Sequence, residues 1–260
     1  VILGVPGLKV HSKLILITRQ ESNVQRNYAH IGSGNFNEST ARVYTDFSLL
    51  TYHQEVADEV AKVFDFIEFT YKRHEFKHLL VSPLNSRSGI LALIDREIEN
   101  ARQRRDCGIT IKCNNLVDQE LIDRLYAASN AGVPIRMIIR GMCSLVPGIP
   151  GYSDNIEIIS IVDRFLEHPR VYVFHNDGEP EYLLSSADLM TRNIDYRVEV
   201  MTRIYDPAAQ RMIKDIVDIQ WSDNMKARIV DKDLANRLRE RKKGAPKIRS
   251  QEATHRYFSD

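Results

Sequence analysis

The sequence lacks the features that mark membrane proteins, disulfide-rich secreted proteins and strongly charged proteins. No apolar run approaches the ~20 residues that a membrane-spanning helix needs. The three cysteines are odd in number and none has Cys-x-x-Cys spacing, which favours reduced thiols in a cytosolic protein over a disulfide framework or a zinc site. The formal net charge is only +1, so any anion-binding site must be a local one.

The composition is otherwise that of an ordinary globular protein with room for about two domains. Of the 260 residues, 43% are hydrophobic, which is enough for a core of normal size. A break in the pattern near residues 77–85 predicts one domain over 1–78 and a second over 79–260. Because the chain begins at Val1 without a methionine, we also expect a fragment of a longer protein, with part of any site upstream.

Short apolar segments alternate with longer amphipathic ones, which predicts an α/β fold with covered sheets. The amphipathic segments predict helices over 53–72, 86–103, 118–131, 207–221 and 234–243. The apolar segments predict strands over 10–18, 28–31, 47–51, 79–81, 109–113, 135–139, 156–161, 171–174, 182–185 and 198–202. Residues 20–27 are polar and predict a hairpin loop.

The two halves of the chain repeat one arrangement of chemically active residues. In each half a histidine is followed two positions later by a cation, then by a loop of small polar residues, a strand and a helix. The corresponding parts are His11 with Lys13, His168 with Arg170, and the loops 32–35 and 185–188. Two such units side by side bring the two histidines toward one cleft.

The first histidine has the neighbours that phosphoryl chemistry requires. On the predicted strand, His11 and Lys13 share a face. A neutral imidazole is a phosphorus nucleophile that forms a covalent intermediate, and the Lys13 ammonium neutralises phosphate oxygens. Asn35, in the small-residue loop, completes the cradle together with backbone N–H groups. The alternative is a structural histidine beside a surface lysine, and the repeat weighs against it.

Further candidates lie in both halves. His168 is predicted to protonate or hydrogen-bond the leaving oxygen, the alternative being a strand-edge histidine. Arg42 and Tyr44 alternate with Asp46, which predicts one shared face that contacts phosphate or a base, the alternative being a solvated strand edge. Arg140 enters a Gly/Pro-rich loop from the carboxyl end of a strand, where α/β sheets bind ligands.

These residues belong to longer motifs, which occupy 11–13, 28–37, 40–46, 139–151, 160–168 and 185–193. In this order, and over nearly the whole chain, the motifs resemble the polyphosphate kinase family, bacterial enzymes that polymerise the γ-phosphate of ATP. The resemblance implies the C-terminal region of such an enzyme. It also implies two phospholipase-D-like α/β/α units, the first truncated at its N-terminus.

The resemblance further implies roles for individual residues. It places the family's phosphohistidine on His11 and its ATP contacts on Tyr44, Arg140 and His168, with His168 as the acid/base partner. It implies Mg²⁺ as cofactor, held by residues upstream of Val1. ATP, ADP and polyphosphate are the implied partners of a cytoplasmic homo-oligomer. Nucleic acid and an integral membrane segment are not expected, whereas peripheral membrane association stays open.

One departure separates the chain from the wider phospholipase D pattern. That superfamily has an Asp five residues after the Lys, where this chain has Thr18 and, in the second unit, His175. A carboxylate normally fixes the tautomer of a catalytic His, so another acceptor is expected here. The sequence therefore predicts reversible transfer of the ATP γ-phosphate to polyphosphate through His11. The alternatives are a phospholipase-D-like phosphodiesterase or nuclease, and a fragment that binds polyphosphate or nucleotide without turnover.

Overall fold

The protein has a mixed α/β structure, in a computed structural model that describes residues 1–2 and 4–259. Its strands are β1 (Lys9–Val10), β2 (Lys13–Glu21), β3 (Val24–Gly32), β4 (Tyr44–Thr45), β5 (Ser48–Thr51), β6 (Leu79–Ser82), β7 (Ile109–Cys113), β8 (Ile135–Ile139), β9 (Ile156–Ile161), β10 (Leu166–Glu167), β11 (Arg170–Phe174), β12 (Glu181–Ser185), β13 (Arg197–Ile204) and β14 (Ala227–Val230). Its α-helices are α1 (Glu38–Ala41), α2 (Gln54–Glu68), α3 (Ser86–Arg102), α4 (Gln119–Asn130), α5 (Thr191–Asp195), α6 (Pro207–Trp221) and α7 (Ser250–Tyr257). Within the described ranges, none of these helices is long and apolar enough to cross a membrane.

A large mixed sheet forms the centre of the molecule. Among the described residues it has nine strands, in the order β1-β13-β12-β11-β7-β8-β9-β14, with β6 paired to β13. Helices α3 and α4 pack on one face through side chains such as Ile94 and Leu125, and α6 packs on the other through Ile213 and Val217. Because strands such as β8 are buried on both faces, their sequences are apolar almost throughout.

A smaller antiparallel sheet contains β2, β3 and β5. Helix α2 covers it with the apolar stripe Val56, Val60 and Val63. Two strand pairs join this part to the large sheet, because β1 lies parallel to β13 and β4 lies parallel to β10. His11 follows β1 and His168 follows β10, so these pairings bring the two halves of the chain together at the histidines.

Two of the best-predicted helices begin at capping aspartates. Asp118 accepts a hydrogen bond from the Leu121 N–H at the start of α4, and Asp206 accepts one from the Ala209 N–H at the start of α6. Pro207 then occupies the first turn of α6, where its missing N–H costs nothing. These local signals explain why the predicted starts agree with the structure.

The N-terminal hairpin differs from its prediction in two ways. Strand β2 begins at Lys13, so His11 lies between β1 and β2, and the argument that strand alternation places both side chains on one face is wrong. Residues 20–27 are largely strand rather than loop. The turn needs only Ser22 and Asn23, whose φ angles are 47° and 65°, as in the two-residue turns that match the twist of paired strands.

The basic helix predicted over 234–243 is wrong. Leu234 and Asn236 have left-handed backbones, with φ of 50° and 53°, which interrupt helical hydrogen bonding. The segment instead runs beside β14, where the Arg239 N–H donates to the Ala227 carbonyl at 2.8 Å. A pattern of charges alone therefore did not determine a helix here.

The C-terminal helix α7 was not predicted. Its first residue, Ser250, donates its backbone N–H to the Asp223 carboxylate at 2.7 Å, across 27 positions of sequence. An unpaired N–H at a helix start needs such an acceptor, and here a distant residue supplies it. A short sequence window contains no sign of this cap.

Candidate active site

His11 is seated against the second half of the chain by backbone hydrogen bonds. The N–H groups of His11 and Ser12 both donate to the Val198 carbonyl of β13, at 3.0 and 2.9 Å. The next residue of β13 is Glu199, and its carboxylate oxygens lie 2.8 and 2.9 Å from Nδ1 of His11. The first candidate histidine is thus held by a carboxylate from the other unit.

Glu199 fixes which nitrogen of His11 carries the proton. Its side chain is 1% exposed against 21% for His11, and it also accepts hydrogen bonds from Ser186 Oγ and from Asn193 Nδ2. A carboxylate with these partners accepts the Nδ1–H of the imidazole. Nε2 of His11 then carries the lone pair, and among the described residues it has no hydrogen-bond partner.

His168 has the reciprocal arrangement. Its Nδ1 lies 2.7 Å from Oδ1 of Asp46, which belongs to the first unit. Ser33 Oγ donates to Asp46 at 2.7 Å and accepts from the Phe47 N–H, just as Ser186 donates to Glu199 and accepts from the N–H of the following residue. Each unit therefore supplies one histidine and the carboxylate that orients the other unit's histidine.

The two cations of the repeat also take equivalent positions. Lys13 donates through Nζ to the carbonyl of His11, and Arg170 donates through Nη1 to the carbonyl of His168 at 2.8 Å. Burial lowers the pKa of the Lys13 ammonium to about 8, and Arg170 contributes in the same direction while Glu199 opposes the shift. These contacts confirm the repeat at the level of individual atoms.

His168 is more enclosed than His11. Burial lowers the pKa of His168, the Asp46 hydrogen bond opposes this, and the nearby charge of Arg170 adds to it. Nη1 of Arg170 lies 3.0 Å from Nε2, a contact that requires an unprotonated Nε2. Asp188 in turn binds Arg170 at 3.2 Å. The ring is therefore neutral, with its proton on the nitrogen that faces Asp46.

Arg140 and Tyr44 reach the same place from different elements. Arg140 follows β8, and its Nε donates to Asn114 Oδ1 and to the Glu167 carbonyl, both at 2.6 Å. The ring centroids of Tyr44 and His168 lie 5.0 Å apart, because β4 pairs with β10 and places Tyr44 opposite Leu166, two residues before His168. Three of the predicted residues, Tyr44, Arg140 and Lys13, thus lie beside the two histidine–carboxylate pairs.

The structure places Asn35 and Arg42 differently from the other candidates. The side chain of Asn35 is exposed and makes no hydrogen bond with the described residues. Arg42 ends α1, where it is exposed and forms an ion pair with Glu38 one turn earlier, so it does not share a strand face with Tyr44. Phosphate contact by these two residues stays a prediction, and neither contacts the histidine–carboxylate pairs.

Sequence reasoning missed both of the orienting carboxylates. It placed Asp46 on a face with Tyr44 without giving it a role, and it did not consider Glu199. A signal was nevertheless present, since an acidic residue lies thirteen positions after the serine in each half, from Ser33 to Asp46 and from Ser186 to Glu199. The sequence analysis expected another acceptor for each histidine in place of the missing Asp. In the structure, each histidine receives this acceptor from the other unit.

Comparison with known proteins decides the family. The family model described as polyphosphate kinase C-terminal domain 1 matches residues 1–73, and that of C-terminal domain 2 matches residues 79–251. The chain belongs to the polyphosphate kinase family. It is 57% identical to the polyphosphate kinase of Vibrio parahaemolyticus over 260 residues, which are 100% of this chain and 37% of the relative. The chain therefore spans about 37% of the length of this curated relative.

Solved structures confirm the predicted α/β fold class. The polyphosphate kinase of Porphyromonas gingivalis superposes with a TM-score of 0.92 at 39% identity, over 98% of this chain and 39% of that one. The phosphatidylserine synthase of Haemophilus influenzae matches with a TM-score of 0.53 at 12% identity, over 91% of this chain and 67% of that one. The second likeness extends to the fold alone.

Proposed function

We propose that this chain carries the phosphoryl-transfer centre of a polyphosphate kinase and moves the γ-phosphate of ATP to polyphosphate, reversibly, through a phosphohistidine on His11. The observation that carries the proposal is the contact between Glu199 and Nδ1 of His11, which leaves Nε2 unprotonated and, within residues 1–2 and 4–259, without a hydrogen-bond partner. A hydrogen-bonded carboxylate that sets the tautomer is what a histidine nucleophile requires. Family membership supplies the substrate class.

The reaction proceeds in two displacements. In the first, a bond forms between Nε2 of His11 and the γ-phosphorus while the bond from that phosphorus to its bridging oxygen breaks and ADP leaves. In the second, a terminal oxygen of polyphosphate attacks the phosphohistidine, the N–P bond breaks, and the chain grows by one phosphate. The proton stays on Nδ1 and remains hydrogen-bonded to Glu199 throughout. The carboxylate therefore stabilises the positive charge of the phosphorylated ring.

The other residues position the phosphates and balance their charge, which is the main task in phosphoryl transfer. The guanidinium of Arg140 and the ammonium of Lys13 hold non-bridging oxygens. Tyr44 lies against His168 at the side of the nucleotide. His168 is the acid or base at the bridging oxygen, and because Asp46 holds its Nδ1, this exchange uses Nε2 after the substrate has displaced the Arg170 contact there.

Mg²⁺ remains a prediction that accompanies ATP as substrate. Across residues 1–2 and 4–259, no group of three or more His, Cys, Asp or Glu side chains is arranged to hold a metal ion. Glu199 and Asp46 accept hydrogen bonds from the imidazole rings and from serine hydroxyls, and Asp188 pairs with Arg170. The residues here thus do not fit a resident metal, and no step above passes through one.

A labelling experiment distinguishes the three candidate functions. The chain is incubated with γ-labelled ATP, with labelled polyphosphate and, separately, with a phosphodiester substrate. We expect an acid-labile, base-stable label on the chain that is absent from His11→Ala. Diester cleavage without labelling would instead identify a phospholipase-D-like hydrolase.

The same experiment is repeated with a full-length relative and with its variant in which the histidine aligned with His11 is replaced by alanine. This is needed because the chain spans only part of the relatives' length. Labelling of both proteins supports the proposal. Labelling of the relative alone, with retained binding of ATP or polyphosphate by the chain, supports the third candidate, a segment that binds without turnover.

The alkaline limb of the pH profile is expected to report Lys13. Because its pKa is lowered to about 8, the ammonium loses its proton as the pH rises through that value, and phosphate then meets a neutral amine. We expect kcat/KM for ATP, which reports the free enzyme, to fall up to about tenfold per pH unit above this point. In Lys13→Arg the limb should move to higher pH, since guanidinium stays protonated. An unchanged limb in this variant would contradict the assignment, and Lys214→Arg, at an exposed lysine of α6, is the control.

Gly34 is expected to be needed for the orientation of His168. A Cβ at this position would overlap the Asp46 carboxylate, whereas one at Gly108 would have its nearest neighbour at 3.7 Å. Gly34→Ala should therefore displace Asp46 from the ring and lower kcat by about 100-fold, as a misplacement of about 1 Å does. Gly108→Ala is the matched control and should retain activity. Equal activity of the two variants would refute the steric argument.

A further inference from the structure

Asn114 is a buried amide next to the candidate phosphate-binding arginine. It follows β7 directly and is 2% exposed. Its N–H donates to Asp188 Oδ1 at 2.8 Å and its carbonyl accepts the Gly141 N–H at 2.8 Å. A Cβ on Gly141 would lie 2.8 Å from that carbonyl, so only glycine permits this approach of the two strand ends. The backbone of Asn114 is therefore fixed from both sides.

The side chain of Asn114 holds Arg140 at one atom. Its Oδ1 accepts the Nε–H of Arg140 at 2.6 Å, and the carbonyl of Glu167 shares the same donor at 2.6 Å. The two terminal nitrogens of the guanidinium have no hydrogen-bond partner among the described residues. The Nη1 and Nη2 donors, which bind phosphate in a bidentate manner, are thus left available. The Nε–H is already hydrogen-bonded to Asn114 and Glu167.

Both acceptors are uncharged, which has a further consequence for binding. Burial lowers the pKa of Arg140, and the charge of Arg170 adds to this, so the site already disfavours the cation. A carboxylate in place of Asn114 would orient Nε equally well but would neutralise much of the positive charge. An amide oxygen orients the guanidinium and leaves its charge for the substrate.

We propose that Asn114 is a positioning residue that aims the guanidinium of Arg140 at the substrate phosphates. This inference rests on the proposed function, in which Arg140 holds phosphate oxygens. Asn114 is buried and its Oδ1 contacts Arg140, while its Nδ2 has no hydrogen-bond partner in the part of the chain that the structure describes. It acts through Arg140 by restricting a long side chain that would otherwise lose conformational entropy on binding.

A double-mutant cycle on anion binding tests the inference. Binding of inorganic tripolyphosphate is measured by calorimetry for the wild-type chain, Asn114→Ala, Arg140→Ala and the double variant. We expect Asn114→Ala to raise the Kd about tenfold in the wild-type background and to have no effect once Arg140 is absent. Asn100→Ala is the matched control, since Asn100 is also 2% exposed and also has an unpartnered Nδ2, but lies on α3.

Thermal melts accompany each variant, and Asn114→Thr replaces Asn114→Ala if the latter does not fold, because its shorter side chain also leaves Nε without this acceptor. Equal effects of Asn114→Ala in both backgrounds, a Kd unchanged in the wild-type background, or no binding of tripolyphosphate by the wild type overturns the inference. Tripolyphosphate binding with the expected cycle, but without phosphohistidine or ATP turnover, overturns the proposed function and leaves the role of Asn114 intact.

Discussion

Replacing Glu199 by glutamine is expected to lower kcat on the order of 1,000-fold while the protein stays folded. Both carboxylate oxygens of Glu199 face Nδ1 of His11, and each also accepts one further hydrogen bond, from Asn193 or Ser186. Glutamine has only one acceptor oxygen and presents an N–H₂ group to the ring. The imidazole then favours the tautomer with its proton on Nε2, which removes the nucleophilic lone pair. In a serine protease triad the corresponding change lowers kcat by about 10⁴-fold, which is the upper limit expected here.

The control is a glutamate that is equally buried but remote from the histidines. Glu97, on α3, is 0% exposed and accepts the N–H groups of Gly108 and Asn176 at 3.0 and 2.9 Å. Glu97→Gln should lower the melting temperature and leave kcat per folded molecule nearly unchanged. The measurements are kcat at saturating ATP and a thermal melt. A folded Glu199→Gln variant whose kcat stays within a few-fold of the wild type is incompatible with the tautomer argument.

Much of the fold could be predicted because the strands and helices of the large sheet have local sequence signals. Strands β7, β8 and β9 are short apolar runs, and the starts of α4 and α6 have aspartate caps, so the predicted bounds agree closely with the structure. The outer ends of β2 and β3, within the predicted loop over 20–27, and helix α7 could not be predicted in this way. These outer strand ends are largely polar and exposed, and α7 begins at the distant Asp223 carboxylate.

The candidate site shows the same division between local and distant information. His11 and His168 could be found because each stands in a repeated motif of a few residues. Their partners, Glu199 and Asp46, lie 188 and 122 positions away and become neighbours only when β1 pairs with β13 and β4 with β10. A spacing within one half cannot reveal a contact that each half makes with the other. The exchanged carboxylates therefore needed the three-dimensional structure.

The β10 segment also contains an ion pair that is buried in the core. Glu167, the residue before His168, is 4% exposed and forms a 3.1 Å ion pair with Lys112, which is 3% exposed. Gln220 and Gln251 each donate to its carboxylate at 2.9 Å. Burial lowers the pKa of Lys112, and the charge of Glu167 opposes this. The pair thus connects β7, α6 and α7 to the backbone that positions His168.

Lys112→Met is expected to destabilise the protein by about 3–5 kcal/mol, because it leaves the Glu167 carboxylate buried without its counter-charge. In Lys112→Met/Glu167→Gln the loss should be reduced by at least about half, since no charge is then buried. The new amide can also donate to Oε1 of Gln220, which has no partner in the present structure. The measurement is urea denaturation, with unchanged slope as the sign that only stability has altered.

Lys214 supplies the control for this prediction, because it pairs with Asp218 at 2.7 Å while 59% exposed. Lys214→Met should cost less than about 1 kcal/mol, since water already solvates that pair. The comparison separates burial from ion pairing. Each substitution removes a lysine that lies at hydrogen-bond distance from a carboxylate, but only the Lys112 pair lies in the core. Equal costs for Lys112→Met and Lys214→Met, or a double variant less stable than Lys112→Met, would show that Glu167 is held by its glutamine contacts rather than by charge.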